Sequence, residues 1–142
     1  MKTSDVGITL IKQFEGFSAV PYKDVVGKMT IGFGHLIKTG EVFGAVSSIE
    51  ATSLLIKDVG FAEDCINKHV TAELDQNQFD ALCSFVYNLG CDNFLSSTLL
   101  KYVNLYNFEL AAAEFGRWNH TGGKVIAGLT RRRAAEAALF EK

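Results

Sequence analysis

Residues 14–36 read "FEGFSAVPYKDVVGKMTIGFGHL", and the fold turns on how this stretch divides. Just upstream, Ile8, Leu10 or Ile11, and Phe14 recur at helical spacing behind a Ser4 or Asp5 cap. Gly16 is placed to end that helix, which puts Glu15 in its last turn. A helix C-terminus disfavours a carboxylate, so stability alone does not select Glu15. From Phe17 to Gly44 the period changes. Glycines and Pro21 punctuate short β-favouring runs such as "MTIGF" and "EVF", the pattern of a small antiparallel sheet with tight turns. Asp24 falls in the turn before the strand that carries Thr30. Eight residues separate Glu15 from Asp24 and five separate Asp24 from Thr30, so two carboxylates and a hydroxyl gather around one helix–sheet junction.

After Gly44 the chain reads as helical. Ser47 and Glu50 form a capping box opening a long helix with Ala51, Leu54, Leu55, Val59 and Ala62 on one side. Asp75 and Gln78 repeat the signal before "QNQFDALCSFVYNLG". That helix is apolar nearly all round, which belongs in the middle of a bundle, and Gly90 is placed to end it. Shorter helices are expected over 97–104 behind Ser96 or Ser97, over 108–118 behind Asn107, and over 131–141 behind Thr130. "NHTGGKVIAG" is a turn or small hairpin. Phe79, Phe85 and Phe115 are core residues. The expectation is one α+β domain over 1–142. An N-terminal helix and β lobe (1–46) and a larger helical lobe (47–142) would meet at a cleft.

The 142 residues are 48% hydrophobic and 21% charged, with one proline, a composition that buries a core and argues against disorder. The formal charge is −2 and positive charge is dense only at Arg131–Arg133, so a nucleic-acid partner is not expected. Cys65, Cys83 and Cys91 lack the spacing of a metal site, and no metal or organic cofactor is implied. Odd in number and set among apolar residues, they read as buried free thiols made in a reducing compartment. Cys83 and Cys91 are the one near pair, and on a single helix about 12 Å of axis would keep them apart. "MKTSDVGITLIKQFEGF" has no uninterrupted apolar core. Neither a signal peptide nor membrane insertion is expected, and the product is read as soluble where it is made.

Two carboxylates flanking a crevice are the equipment for cleaving a glycosidic bond: one donates a proton to the leaving oxygen, the other assists water or stabilises positive charge. "FEG", "YKD" and "TIGFGH", followed by "QFDALCSFVYNLG", "FGRW" and "GLTRRRAAEAALF", resemble the phage-type lysozymes, the muramidase endolysins of glycoside hydrolase family 24. The resemblance runs from about residue 8 to 140 in family order. It implies a lysozyme-like fold and hydrolysis of the β-1,4 bond between N-acetylmuramic acid and N-acetylglucosamine in peptidoglycan. It implies Glu15 as general acid, Asp24 as the opposing carboxylate, and Thr30 as a hydroxyl helping to hold the attacking water. His35 would pair with Asp58, a tie between lobes more than a catalytic element. Asn88 would line the cleft. Trp118 would lie either under the sugar or in the core. Arg132 or Arg133 would pair with Glu15, the triple arginine leaving the register open.

The same resemblance implies a monomeric endolysin held in the host cytoplasm, dependent on a holin to reach the wall. Several members of the family are strongly basic, as suits an anionic wall; this slightly acidic chain lacks that long-range steering. Two other functions compete. A lytic transglycosylase would need one acid and no water, against which Asp24 and Thr30 stand. A catalytically silent wall-binding domain would not need the three residues together.

Overall fold

The first helix, α1 (Asp5–Glu15), is capped by its neighbour rather than by itself. Ser4 has the extended backbone of an N-cap, but its own side chain caps nothing. A computed structural model describing residues 1–142 shows that Asp80, on the later helix α4 (Gln76–Leu89), takes the Ser4 N–H at 2.9 Å and also accepts from the Ser4 hydroxyl. Gly7 permits this approach: a Cβ there would lie 2.6 Å from Thr3 Cγ2 and 2.8–2.9 Å from the Asp80 side chain. At the other end the Gly16 N–H bonds Lys12 O, and Gly16 turns the chain away at φ 72°.

The chain then forms β1 (Ser18–Lys23), β2 (Met29–Gly32) and β3 (His35–Leu36), an antiparallel sheet in that order. Tyr22 lies opposite Thr30 and Ile31 opposite His35, and an irregularity between Ser18 and Tyr22 shifts the β1–β2 register. A small cluster of Ile31, Val46 and Ala51 seats the sheet on α2 (Ser48–Asp58).

Both expected capping boxes are present, at Ser47–Glu50 and Asp75–Gln78. The single long helix expected after Ser47 is instead two, α2 and α3 (Gly60–His69), broken at Val59. Gly60, a poor helix former, stands at the break. All nine residues from Gln78 to Val86 on α4 are buried, as its all-round apolar character predicts. Gly90 ends α4 at φ 87°, and a five-residue helix that the sequence reading missed, α5 (Cys91–Leu95), follows at once. It is too short to carry a periodicity.

Ser97 caps α6 (Thr98–Asn104) and Asn107 caps α7 (Phe108–Glu114). The α7 helix stops short of the expected residue 118, and a 3-10 turn over Phe115–Arg117 completes the segment. A hairpin, β4 (His120–Thr121) and β5 (Lys124–Val125), turns through Gly122 and Gly123, both at positive φ. The last helix, α8 (Ala127–Phe140), starts a turn before the expected Thr130 cap; inside the helix, the Thr130 hydroxyl donates back to Ile126 O. The main core holds 22 buried residues around α4, including Phe79, Phe85, Phe94 and Phe115.

The cysteines correct the sequence reading. Cys65 on α3 and Cys91 on α5 form a disulfide, and only Cys83 is free and buried. Cys91 lies beyond the end of α4, on a helix that packs back on α3, so tertiary folding makes the pair that spacing along one helix does not show. No helix is long and apolar enough to cross a membrane.

Candidate active site

Glu15 ends α1 with its side chain about one-fifth exposed, and Arg132 Nη1 donates to its Oε2 at 2.6 Å. The open register among the arginines thereby resolves to Arg132. Gly34, in the β2–β3 turn, brings bare backbone against the same carboxylate. A Cβ at Gly34 would lie 2.7 Å from Glu15 Oε1, and its φ of +80° also favours glycine.

Arg132 is itself buried and fixed on three sides. Its Nε reaches Glu136 Oε2 at 3.3 Å, and its Nη2 donates to Ser84 O at 3.2 Å and to Ser84 Oγ at 3.3 Å. The Ser84 hydroxyl in turn donates to Glu136 at 2.6 Å. Arg133 lies wholly inside, over the Phe85 ring, and donates from Nη2 to Asn88 Oδ1 at 2.6 Å. Its Nε sits 2.9 Å from Glu136 Oε1, close enough for an ion pair but not aligned as a hydrogen bond. Burial lowers Arg133 to about 10, against the pull of Glu136, which leaves it charged at neutral pH. Burial raises Glu136, opposed by both arginines and by the Ser84 hydroxyl. One acid thus serves two guanidinium groups, one aimed at Glu15 and the other at Asn88.

Asp24 sits in the β1–β2 turn. Its Oδ1 accepts the N–H groups of Val26 at 3.0 Å and Lys28 at 2.8 Å, an Asx arrangement that fixes the carboxylate. The Lys28 carbonyl accepts from both the Asp24 N–H and the Thr30 hydroxyl, tying the two residues to one turn. Thr30 is buried and does not line the cleft cavity. With its proton committed to Lys28 O, its oxygen is left to act as an acceptor.

Glu15, Asp24 and Asn88 line a common cavity of about 750 Å³ with His35, Asp58 and Tyr87. His35 Nδ1 lies 2.6 Å from Asp58 Oδ2 and its Nε2 lies 3.0 Å from Glu41 Oε1, so the ring joins β3 to α2 between two carboxylates. Burial works to lower the His35 pKa, but the hydrogen bonds and charges of Asp58 and Glu41 outweigh it and leave the value raised above 6.5. Trp118 is half-buried, edge-on to Phe85 at 5.8 Å, and packs on the core rather than lining this cavity.

The sequence reading missed Glu41, Ser84, Tyr87 and Glu136. Glu136 stands three and four residues past Arg133 and Arg132, a helical pairing legible once α8 is placed. Glu41 had only its nearness to His35 to mark it. Ser84 and Tyr87 look like ordinary members of an apolar helix.

The family described as phage lysozyme matches residues 12–136. The endolysin of Bacillus phage PZA is 46% identical over 99% of this chain, which spans 55% of that relative's length. Among solved structures, a mutant of P22 lysozyme is 37% identical with a TM-score of 0.91, covering 100% of this chain and 99% of the other. The muramidase domain of SpmX from Asticaccaulis excentricus is 37% identical with a TM-score of 0.90, covering 99% of this chain and 98% of that one.

Proposed function

The chain belongs to the phage lysozyme family, and from that membership and the cleft geometry we propose that it hydrolyses the β-1,4 bond between N-acetylmuramic acid and N-acetylglucosamine in peptidoglycan. The chain spans about half the length of the first curated relatives it matches, so the activity proposed is that of this segment. One observation carries the reading: Glu15, oriented by a buried arginine, opens into the same cavity as a separately anchored carboxylate, Asp24.

Glu15 protonates the leaving oxygen as the sugar develops oxocarbenium character. Asp24 takes a proton from water on the opposite face, and Thr30, buried behind the cavity wall, supports Asp24 through the Lys28 carbonyl that both residues bond. This arrangement is that of an inverting enzyme, in which the first product is the α-anomer. Asn88, held by Arg133, presents an amide to the acetamido sugars. Inside a phage-infected cell the protein acts as a monomer on the wall after a membrane lesion, such as that of a holin, releases it from the cytoplasm.

Digestion of purified peptidoglycan followed by mass spectrometry of the fragments tests the chemistry. New reducing ends are expected. Anhydro sugars would mean a transglycosylase, and an unchanged digest would mean a binding module. NMR of the nascent reducing end tests the stereochemistry, and β-anomer appearing before mutarotation would make Asp24 a nucleophile.

A further inference from the structure

Charges in the cleft cavity can be matched one by one. Among its carboxylates, Glu15 faces Arg132, Asp24 is held by two backbone N–H groups, and Asp58 and Glu41 share His35. Two lining cations remain, Lys38 after β3 and Lys57 in the last turn of α2; both are exposed and neither is in an ion pair. The Tyr87 hydroxyl, in the same cavity, has no hydrogen-bond partner in the chain. Burial pushes the phenol above its ordinary value, and the Glu15 and Asp58 carboxylates add to the effect, so it stays protonated as a donor. The Tyr87 ring stacks on Phe61 at 6.0 Å, and Phe61 lies 49% exposed on the cavity wall. The lining polar side chains with no partner at all, Lys38, Lys57 and the Tyr87 hydroxyl, are donors, two of them cationic, beside an apolar ring. Such a set suits an anionic acceptor on a partly apolar arm.

We propose that Lys38, Lys57 and the Tyr87 hydroxyl, beside the Phe61 ring, form a subsite for a carboxylate on the muramyl side arm of the glycan. The inference rests on the muramidase reading above. Carboxylates on that arm come from two sources, the stem peptide and the lactyl group once the peptide is removed. Local placement also answers the chain's net charge of −2: attraction to the substrate comes from two lysines in the cleft instead of a basic surface.

The test compares KM on glycan strands bearing free stem-peptide carboxylates with KM on the same strands after amidation. For the unaltered protein, KM is expected to rise about threefold to tenfold on amidation, the sum of two exposed charge contacts. In Lys38→Met/Lys57→Met the rise should vanish, and in Lys38→Arg/Lys57→Arg it should return. A charge-matched control, Lys124→Met/Lys142→Met, should keep it. On peptide-stripped strands, a surviving difference between the unaltered protein and the Met pair assigns the lactyl carboxylate, and its loss assigns the stem peptide. The subsite is overturned if the Met pair responds to amidation as fully as the unaltered protein, or if amidation leaves KM unchanged and the Met pair also matches the unaltered protein on peptide-stripped strands. Failure of the muramidase reading looks different, with no new reducing ends from any strand.

Discussion

At the scale of single residues, the cleft depends on how Glu15 is aimed. Glu15→Gln removes the proposed proton donor but leaves Arg132 its contacts with Glu136 and Ser84, so the fold should hold. Wall-clearing activity should fall by about 10²–10⁴, and near-normal turnover by a folded Gln variant would refute the assignment. Gly34→Ala approaches the same carboxylate from the opposite side. The added Cβ meets only the end of a flexible side chain, so stability should fall by roughly 1–2 kcal/mol, mostly from the positive φ. Activity should fall far more, on the order of 10², because Glu15 must leave Arg132 to make room. Equal small losses in unfolding and turnover would show that Gly34 serves only its turn. Glu15, Asp24 and Thr30 stand out because they flank a change of period, but spacing alone is weak evidence and their proposed roles rest on the family resemblance. Arg132 could not be told from Arg133, since consecutive helical residues point about 100° apart and the start of α8 was misplaced.

At the scale of elements, two junctions bear on stability. His35 ties β3 to α2 through Asp58, and Asp58→Asn should cost about 1–3 kcal/mol where the imidazole is charged. The folded pKa of His35 is raised, so its contribution is complete below about 6.5 and fades as pH climbs through the folded value. The stability gap between the unaltered protein and Asp58→Asn should therefore narrow between pH 6 and pH 9. Urea unfolding at both pH values checks it, and a constant gap would exclude a charged His35 as the source. The other junction is α1 on α4. Propensity alone predicts that Gly7→Ala stabilises α1 by about 1 kcal/mol. The Cβ would instead strike Thr3 and Asp80 inside 3 Å, and overpacking of this kind costs about 1–3 kcal/mol. Net destabilisation is expected, with the Asp80–Ser4 cap disturbed, and a raised urea midpoint would reverse that judgement. Neither junction shows in local pattern. Asp80 looks like one more helical acid, and Gly7 like a weakness in α1, until the two helices are packed together. The same limit hid α5 and the break at Val59, whereas caps written within four residues, at Ser47 and Asp75, were legible.

At the scale of the whole molecule, the Cys65–Cys91 bridge closes a loop of 26 residues around the entry, length and exit of α4, the helix that carries Ser84, Tyr87 and Asn88. Composition and periodicity foretold the α+β architecture, because apolar stripes and capping boxes are local facts. The disulfide was not foretold, because it depends on the chain reversing at Gly90 so that α5 meets α3. Closing a loop of that length restricts the unfolded chain by an amount worth about 3–4 kcal/mol. Burial raises the third thiol, Cys83, to about 12, so at neutral pH it remains protonated and does not compete for either sulfur while the protein is folded. Reductant should therefore lower the urea midpoint of the unaltered protein by the equivalent of about 3–4 kcal/mol and leave Cys65→Ser/Cys91→Ser unmoved. Cys83→Ala should respond to reductant as the unaltered protein does. An unaltered protein whose midpoint ignores reductant while its free-thiol count rises from one to three would show that the bridge contributes nothing to holding α4 in place.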